Sequence, residues 1–228
     1  TNTVKVTPPT EEEEPEKFVD NEKAGMPFKD LTEADKAALV EAGVITKDDE
    51  GYKKDGQPVG EDDVLIPALE LAGRNDEFTY TVTQKIPLDA ESVTFEDTLE
   101  SVLTIVNAEI EGSKDASKYV NQTEGNAVKL VAEDVTADLG RKITLKIVAK
   151  IGEGVTDEQL APYVVGGNVE IPNTAEVKIN GEGKSTNTVK VTPPTEEEEP
   201  EKFVEGDKYG TGEKPAYELA GRNDEFTY

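Results

Sequence analysis

One stretch of this chain occurs twice without a change. TNTVKVTPPTEEEEPEKFV at 1–19 returns at 186–204, an offset of 185 residues. A second block, ELAGRNDEFTY at 70–80, returns at 218–228 with an offset of 148, so the first copy carries 37 additional residues between its blocks. Near-identical blocks at long spacing mark a tandem array, in which each unit folds as a domain and meets mainly its neighbours. The frame predicts one complete domain over 16–192. Residues 1–15 read as the end of a preceding unit followed by a Pro/Glu linker, and 193–201 as a second linker. Residues 202–228 read as the incomplete start of the next unit, without its partner strands. Arrays of this kind are extended rods, which favours a structural task over catalysis.

The linkers read from PPTEEEEP at 8–15 and its copy at 193–200. Proline holds the backbone extended and the glutamates repel one another, so the segment is stiff and polar. The whole chain carries 50 acidic against 24 basic residues, a formal charge of −26. Such a surface repels nucleic acid and anionic lipid. There is no Cys, His or Trp. That removes disulfides, thiol nucleophiles, zinc–thiolate sites and the commonest general base. No apolar run is long enough to span a membrane. The acidic runs Asp48–Glu50 with Asp55, and Glu61–Asp63, do not follow the spacing of a calcium loop and read as solvated loops. No cofactor and no metal site is expected.

Period-two alternation dominates the unit. In EFTYTVTQKI, Phe78, Tyr80, Val82 and Ile86 share a face. Val93 and Phe95 share one in the next strand, and Ile143, Leu145, Ile147 and Ile151 in Lys142–Ile151. Val102–Ile110 is a further apolar run. Ile171, Asn173, Ala175, Val177 and Ile179 share a face of the penultimate strand, and Asn187–Thr192 forms the last. Helical spacing appears over Leu31–Ile45, with Thr32 as N-cap and Asp35 three residues on. That helix lies in a segment at about 23–69 that includes the residues missing from the second copy, so it is an insertion. A second short capped helix is expected over Thr156–Tyr163. The pattern predicts an all-β fold, a Greek-key β-sandwich with one short helical insertion.

Three polar residues fall in phase with buried faces. Lys17 shares its face with Val19, Asp97 follows Val93 and Phe95, and Asn173 sits between Ile171 and Ala175. Burying any one of them alone is costly, and meeting one another would offset the cost. Lys85 and Glu96 are the alternative lysine and acid, and both are out of phase with their apolar neighbours.

The ordered strings EKFVDN, EFTYTVTQKIP, VTFEDTLESVL, LGRKITLKIVAKI, IPNTAEVKIN and STNTVKVTPP resemble the isopeptide-forming domain of Gram-positive fimbrial and cell-wall-anchored surface proteins. The resemblance implies an Ig-like, Cna-type sandwich. It implies that Lys17 bonds covalently to Asn173, promoted by the acid Asp97. It also implies an extracellular, cell-wall-anchored pilin or adhesin whose partners are neighbouring repeats of the same chain. Two roles stay open: a stalk repeat, or a module that binds a host surface ligand through the 23–69 insertion. The crosslink would be a single event of self-modification, so no enzyme activity is expected. Lys202, the copy of Lys17, is expected to stay unreacted because its own Asn lies beyond Tyr228.

Overall fold

The computed structural model describes residues 13–49 and 51–194. They belong to the first of the two units into which the chain divides, which ends at Pro194. The expectations for residues 1–12 and for 202–228, Lys202 included, lie outside the described residues.

Ten strands build the sandwich and a small sheet beside it: β1 Glu16–Val19, β2 Phe78–Lys85, β3 Val93–Thr98, β4 Leu103–Glu111, β5 Ala127–Ala132, β6 Lys142–Ile151, β7 Ile171–Asn173, β8 Ala175–Ile179, β9 Glu182–Ser185 and β10 Val189–Thr192. One sheet has the order β1-β2-β6-β4. The facing sheet runs β9-β8-β3-β5 and ends on the short strand Val120–Asn121. A third, small sheet joins β7 to β10 and β10 to Leu69–Glu70, the last pair in parallel. Strands β2 to β6 alternate between the two main sheets, so neighbours within a sheet are not consecutive in the chain. These are the crossovers of a Greek-key β-sandwich.

Alternation decides which residues lie between the sheets. From the first sheet, Val19, Phe78, Tyr80, Val82, Ile143, Leu145, Ile147, Ala149 and Ile151 point inward, each at most 3% exposed. Val93, Phe95, Val128, Leu130, Ala132 and Val177 meet them from the other sheet. Burial of this apolar area is the main force holding the layers together. The register places Val19 opposite Tyr80, and Tyr80 opposite Ile147, in a row across the first sheet.

The expected long penultimate strand is two strands. Side chains keep alternating from Ile171 to Val177, but the hydrogen-bonding partner changes at Thr174. Asn173 lies opposite Val189 of β10, whereas Ala175 lies opposite Asp97 of β3. Pro172 has no N–H to donate, which suits a strand leaving one ladder for another. Asn180 and Gly181, both at positive φ, turn β8 back into β9, a hairpin absent from the sequence reading.

The insertion carries the nine-residue helix α1 Glu33–Glu41, closed at its start by the expected capping box. The Thr32 Oγ1 accepts the Asp35 N–H at 3.2 Å, and an Asp35 carboxyl oxygen accepts the Thr32 N–H at 2.9 Å. A three-stranded sheet of Thr46–Asp48, Gly51–Lys54 and Gln57–Pro58 follows. Phe28, Leu31, Leu39, Ile45 and Leu65 form a hydrophobic cluster of its own, separate from the sandwich core. The second expected helix is α2 Asp157–Leu160, continued by a 3₁₀ turn through Tyr163. Among the described residues no helix is long and apolar enough to cross a membrane.

Candidate functional site

Lys17, Asp97 and Asn173 meet inside the sandwich. Lys17 enters from β1, where it lies opposite Val82. Val82 in turn lies opposite Leu145. A lysine therefore fills a place in an apolar row, with 0% of its surface exposed. Asp97 enters from β3, flanked by Val128 and Ala175 on the two neighbouring strands, and is 2% exposed. Asn173 ends β7 at 4% exposure, just before the strand joins the ladder beside Asp97.

The Lys17 Nζ donates to Asp97 Oδ2 in a short ion pair. The Asn173 Nδ2 donates to the same oxygen at 3.4 Å. The Tyr80 ring closes the site from below, with its centroid 4.8 Å from the Lys17 Nζ. Three buried oxygens here, Asp97 Oδ1, Asn173 Oδ1 and the Tyr80 hydroxyl, have no hydrogen-bond partner among the described residues.

Burial dominates the electrostatics. It pulls the Lys17 ammonium down to about 8, with the attraction of Asp97 opposing the shift. It pushes the Asp97 carboxyl up, again against the pull of its partner. Both changes favour the neutral forms, since a low-dielectric interior penalises charge. Burial also raises the Tyr80 phenol well above its ordinary value. Asp138 shows the alternative. Burial pulls it up too, but hydrogen bonds from the Ser113 hydroxyl, the Lys114 N–H and the Tyr119 hydroxyl outweigh burial and hold it below its ordinary value. Asp138 is a satisfied structural carboxylate, whereas Asp97 has one unpartnered oxygen and an amine in contact.

The alternative residues lie elsewhere. Lys85 is exposed and pairs with Glu13 at 2.7 Å. Glu96 faces outward, bridged by Lys178 and, at 3.0 Å, by Lys129. Strand phase thus separates the buried trio from its surface rivals. It gives no sign of Tyr80 as the floor of the site, because an aromatic on the apolar face reads only as core. It is equally silent on Thr186 and Asn187, which hold Ala175 and Lys17 respectively through side-chain hydrogen bonds. Among the described residues no cluster of side chains suited to hold a metal ion occurs.

No family model matches the chain. An alignment 174 positions long that covers 71% of the chain shows 36% identity to platelet adherence protein A of Streptococcus gordonii. The chain spans only 4% of the length of that protein. In fold it is similar to the major pilin BcpA of Bacillus cereus, at 24% identity over 55% of this chain and 37% of that one, with a TM-score of 0.46. It is likewise similar to the N-terminal domain of the Streptococcus gordonii adhesin Sgo0707, at 15% identity over 57% and 31%, with a TM-score of 0.46. The full-length major pilin SpaD of Corynebacterium diphtheriae matches at 23% identity over 52% and 32%, with a TM-score of 0.40. The sequence relative is thus named as an adherence protein, and the three solved structures are two pilins and an adhesin domain.

Proposed function

We propose that the chain is a structural repeat of a bacterial surface adhesin or pilus-like stalk, extracellular and anchored to the cell wall. Its unit at 16–192 is clamped by an amide bond formed once between the Lys17 Nζ and the Asn173 Cγ. The observation that carries this reading is an amine, a carboxyl and a carboxamide, all nearly free of solvent, in hydrogen-bonding contact. A buried ion pair adds little stability by itself, and apolar residues of similar size commonly do as well. A sandwich core that keeps such a cluster, with unpartnered oxygens, has a use for it. The 36% identity to an adherence protein supports the surface role.

The chemistry follows from the shifted acidities. Transfer of one proton from the Lys17 ammonium to Asp97 leaves a neutral amine beside a neutral acid. The amine nitrogen attacks the Asn173 Cγ. With the Asn173 amide turned so that its oxygen faces Asp97, the protonated carboxyl donates to that oxygen and polarises the carbonyl. Asp97 takes up the proton lost by the lysine nitrogen and delivers one to the Asn173 Nδ2. The Cγ–Nδ2 bond breaks and ammonia leaves, with Asp97 left as the neutral acid that holds the proton first taken from the Lys17 ammonium. The fold supplies the proximity. It happens once per molecule and is not turnover.

Intact mass under denaturing conditions tests the reading. The wild-type chain should be lighter than its sequence mass by one ammonia. Lys17→Met, Asp97→Ala and Asn173→Ala should each show the full mass. Full mass in folded wild-type protein would refute the clamp.

A second role rests on a cleft of about 240 Å³ between α1 and the segment after β1, lined by Met26, Leu31, Leu39, Val44, Leu65 and Ile66. It suits a module that binds a host surface ligand through the insertion. Adhesion that survives loss of the insertion favours the stalk; adhesion that disappears favours the module.

A further inference from the structure

We infer that Thr186-Asn187-Thr188, between β9 and β10, is a template that sets Lys17 against Asn173, and that Thr186 and Asn187 are positioning residues for the bond. The inference rests on the crosslink reading above. β1 is an edge strand of only four residues, paired on one side with β2. On the other side the Asn187 side chain takes the place of a strand. Its Oδ1 accepts the Lys17 N–H at 2.8 Å, and its Nδ2 donates to the Lys17 carbonyl at 2.8 Å. Both bonds go to the lysine itself, so they fix the position and the rotation of the backbone from which its side chain enters the core.

The adjoining residues hold the other partner. The Thr186 N–H donates to the Ala175 carbonyl at 2.9 Å, and its hydroxyl oxygen accepts the Ala175 N–H at 3.0 Å. That hydroxyl donates in turn to the Asn187 carbonyl at 2.8 Å. The hydroxyls of Thr188 and Thr174 are bonded at 2.6 Å. Ala175 lies opposite Asp97, and Thr174 directly follows Asn173. Three consecutive residues therefore grip the lysine on one side and the corner carrying the asparagine on the other. The lysine stem has four rotatable carbons, so packing alone defines its end poorly. A misplacement of about 1 Å costs about 100-fold in a reaction that depends on proximity. The tripeptide also opens the chain as Thr1-Asn2-Thr3, so it belongs to the repeat.

The test separates rate from stability. The full chain is synthesised in a cell-free reaction and quenched into denaturant at intervals, and loss of ammonia is followed by intact mass. Stability is measured for each variant in an Asn173→Ala background, where no bond forms. Asn187→Ala and Thr186→Val should slow the loss by about tenfold or more. Leu160→Ala, a core truncation outside the trio, should destabilise at least as much and react at the wild-type rate. Asn187→Asp, which keeps the acceptor and loses the donor, should fall between wild type and Asn187→Ala. Should Asn187→Ala fail to fold, Thr186→Val decides. Wild-type rates in Asn187→Ala or Thr186→Val, or rates that follow stability in every variant, overturn the template. A wild-type chain at full mass sinks the crosslink and the template together. A light wild type with a fast Asn187→Ala sinks the template alone.

Discussion

A lysine without solvent must give up its proton or hold a counter-charge. Lys17 holds Asp97 and, under the proposed chemistry, then surrenders the proton to it. The consequence for pH can be read in Asn173→Ala, which keeps the lysine and cannot form the amide. The folded pKa of Lys17 is about 8 against an ordinary 10.5. The folded state therefore binds fewer protons than the unfolded state between these values. The cost of burying the charge is fully present below pH 8 and is relieved as pH rises toward 10.5. Measured against Lys17→Met/Asn173→Ala, the Asn173→Ala protein should gain roughly 3 kcal/mol of stability between pH 7 and 10.5. Urea melts at the two pH values check this, and a flat difference would contradict it. Asp97 runs the other way: its raised pKa means that its burial cost is present at neutral pH and relieved by acid. The trio is legible in the sequence because a period-two strand has only two faces, and a Lys, an Asp or an Asn on the wrong one stands out. Asn187 is not, because a side chain bonded to a distant backbone leaves no periodic trace.

At the scale of elements, the alternating strands are the most legible part of the fold. β2, β3 and β6 begin and end close to where their alternation does. β5 is obscured by Val131, an apolar residue on the outer face, beside the inward Val128 and Leu130. The handover at Thr174 is hidden because side-chain alternation runs through it unbroken while only the backbone partner changes. The insertion is legible as a helix but not as a small domain-like body with a sheet, since Gly51–Lys54 has no buried face to alternate. α1 buries only Leu39, so its ends matter more than its face. Thr32→Ala removes the cap and should cost about 1 kcal/mol. Because the insertion has its own apolar cluster, the loss should stay local. Amide exchange should quicken over 33–41 and remain unchanged in β2 and β6. Faster exchange throughout the sandwich would show that the two bodies are coupled.

At the scale of the whole unit, the proposed bond ties the first strand to the strand that pairs with the last. It closes a loop from residue 17 to residue 173, which by analogy with a long-loop disulfide is worth about 5 kcal/mol. Lys17→Met should lower the melting temperature by roughly 10–20 °C, given about 2–4 °C per kcal/mol for a unit of this size. It should also shorten survival against protease. Equal melting temperatures would count against the clamp. The insertion should matter little to any of this. The Gly25 N–H reaches the Ile66 carbonyl at 2.6 Å, and Pro27 bridges to Val64, so the ends of the insertion are already close together. Replacing 27–64 by a short glycine linker should leave the sandwich folded and the ammonia loss complete, read by intact mass.

The three members of the trio come from strands far apart in the chain: Lys17 and Asp97 are separated by 80 positions, and Asp97 and Asn173 by 76. An amide between the outer two can therefore form only in a molecule that has reached its native register. Once formed, the proposed bond would outlast the fold. A chain pulled apart by force or denaturant would keep the native pairing of its ends as a covalent memory, and would start its return from a closed ring rather than from an open chain.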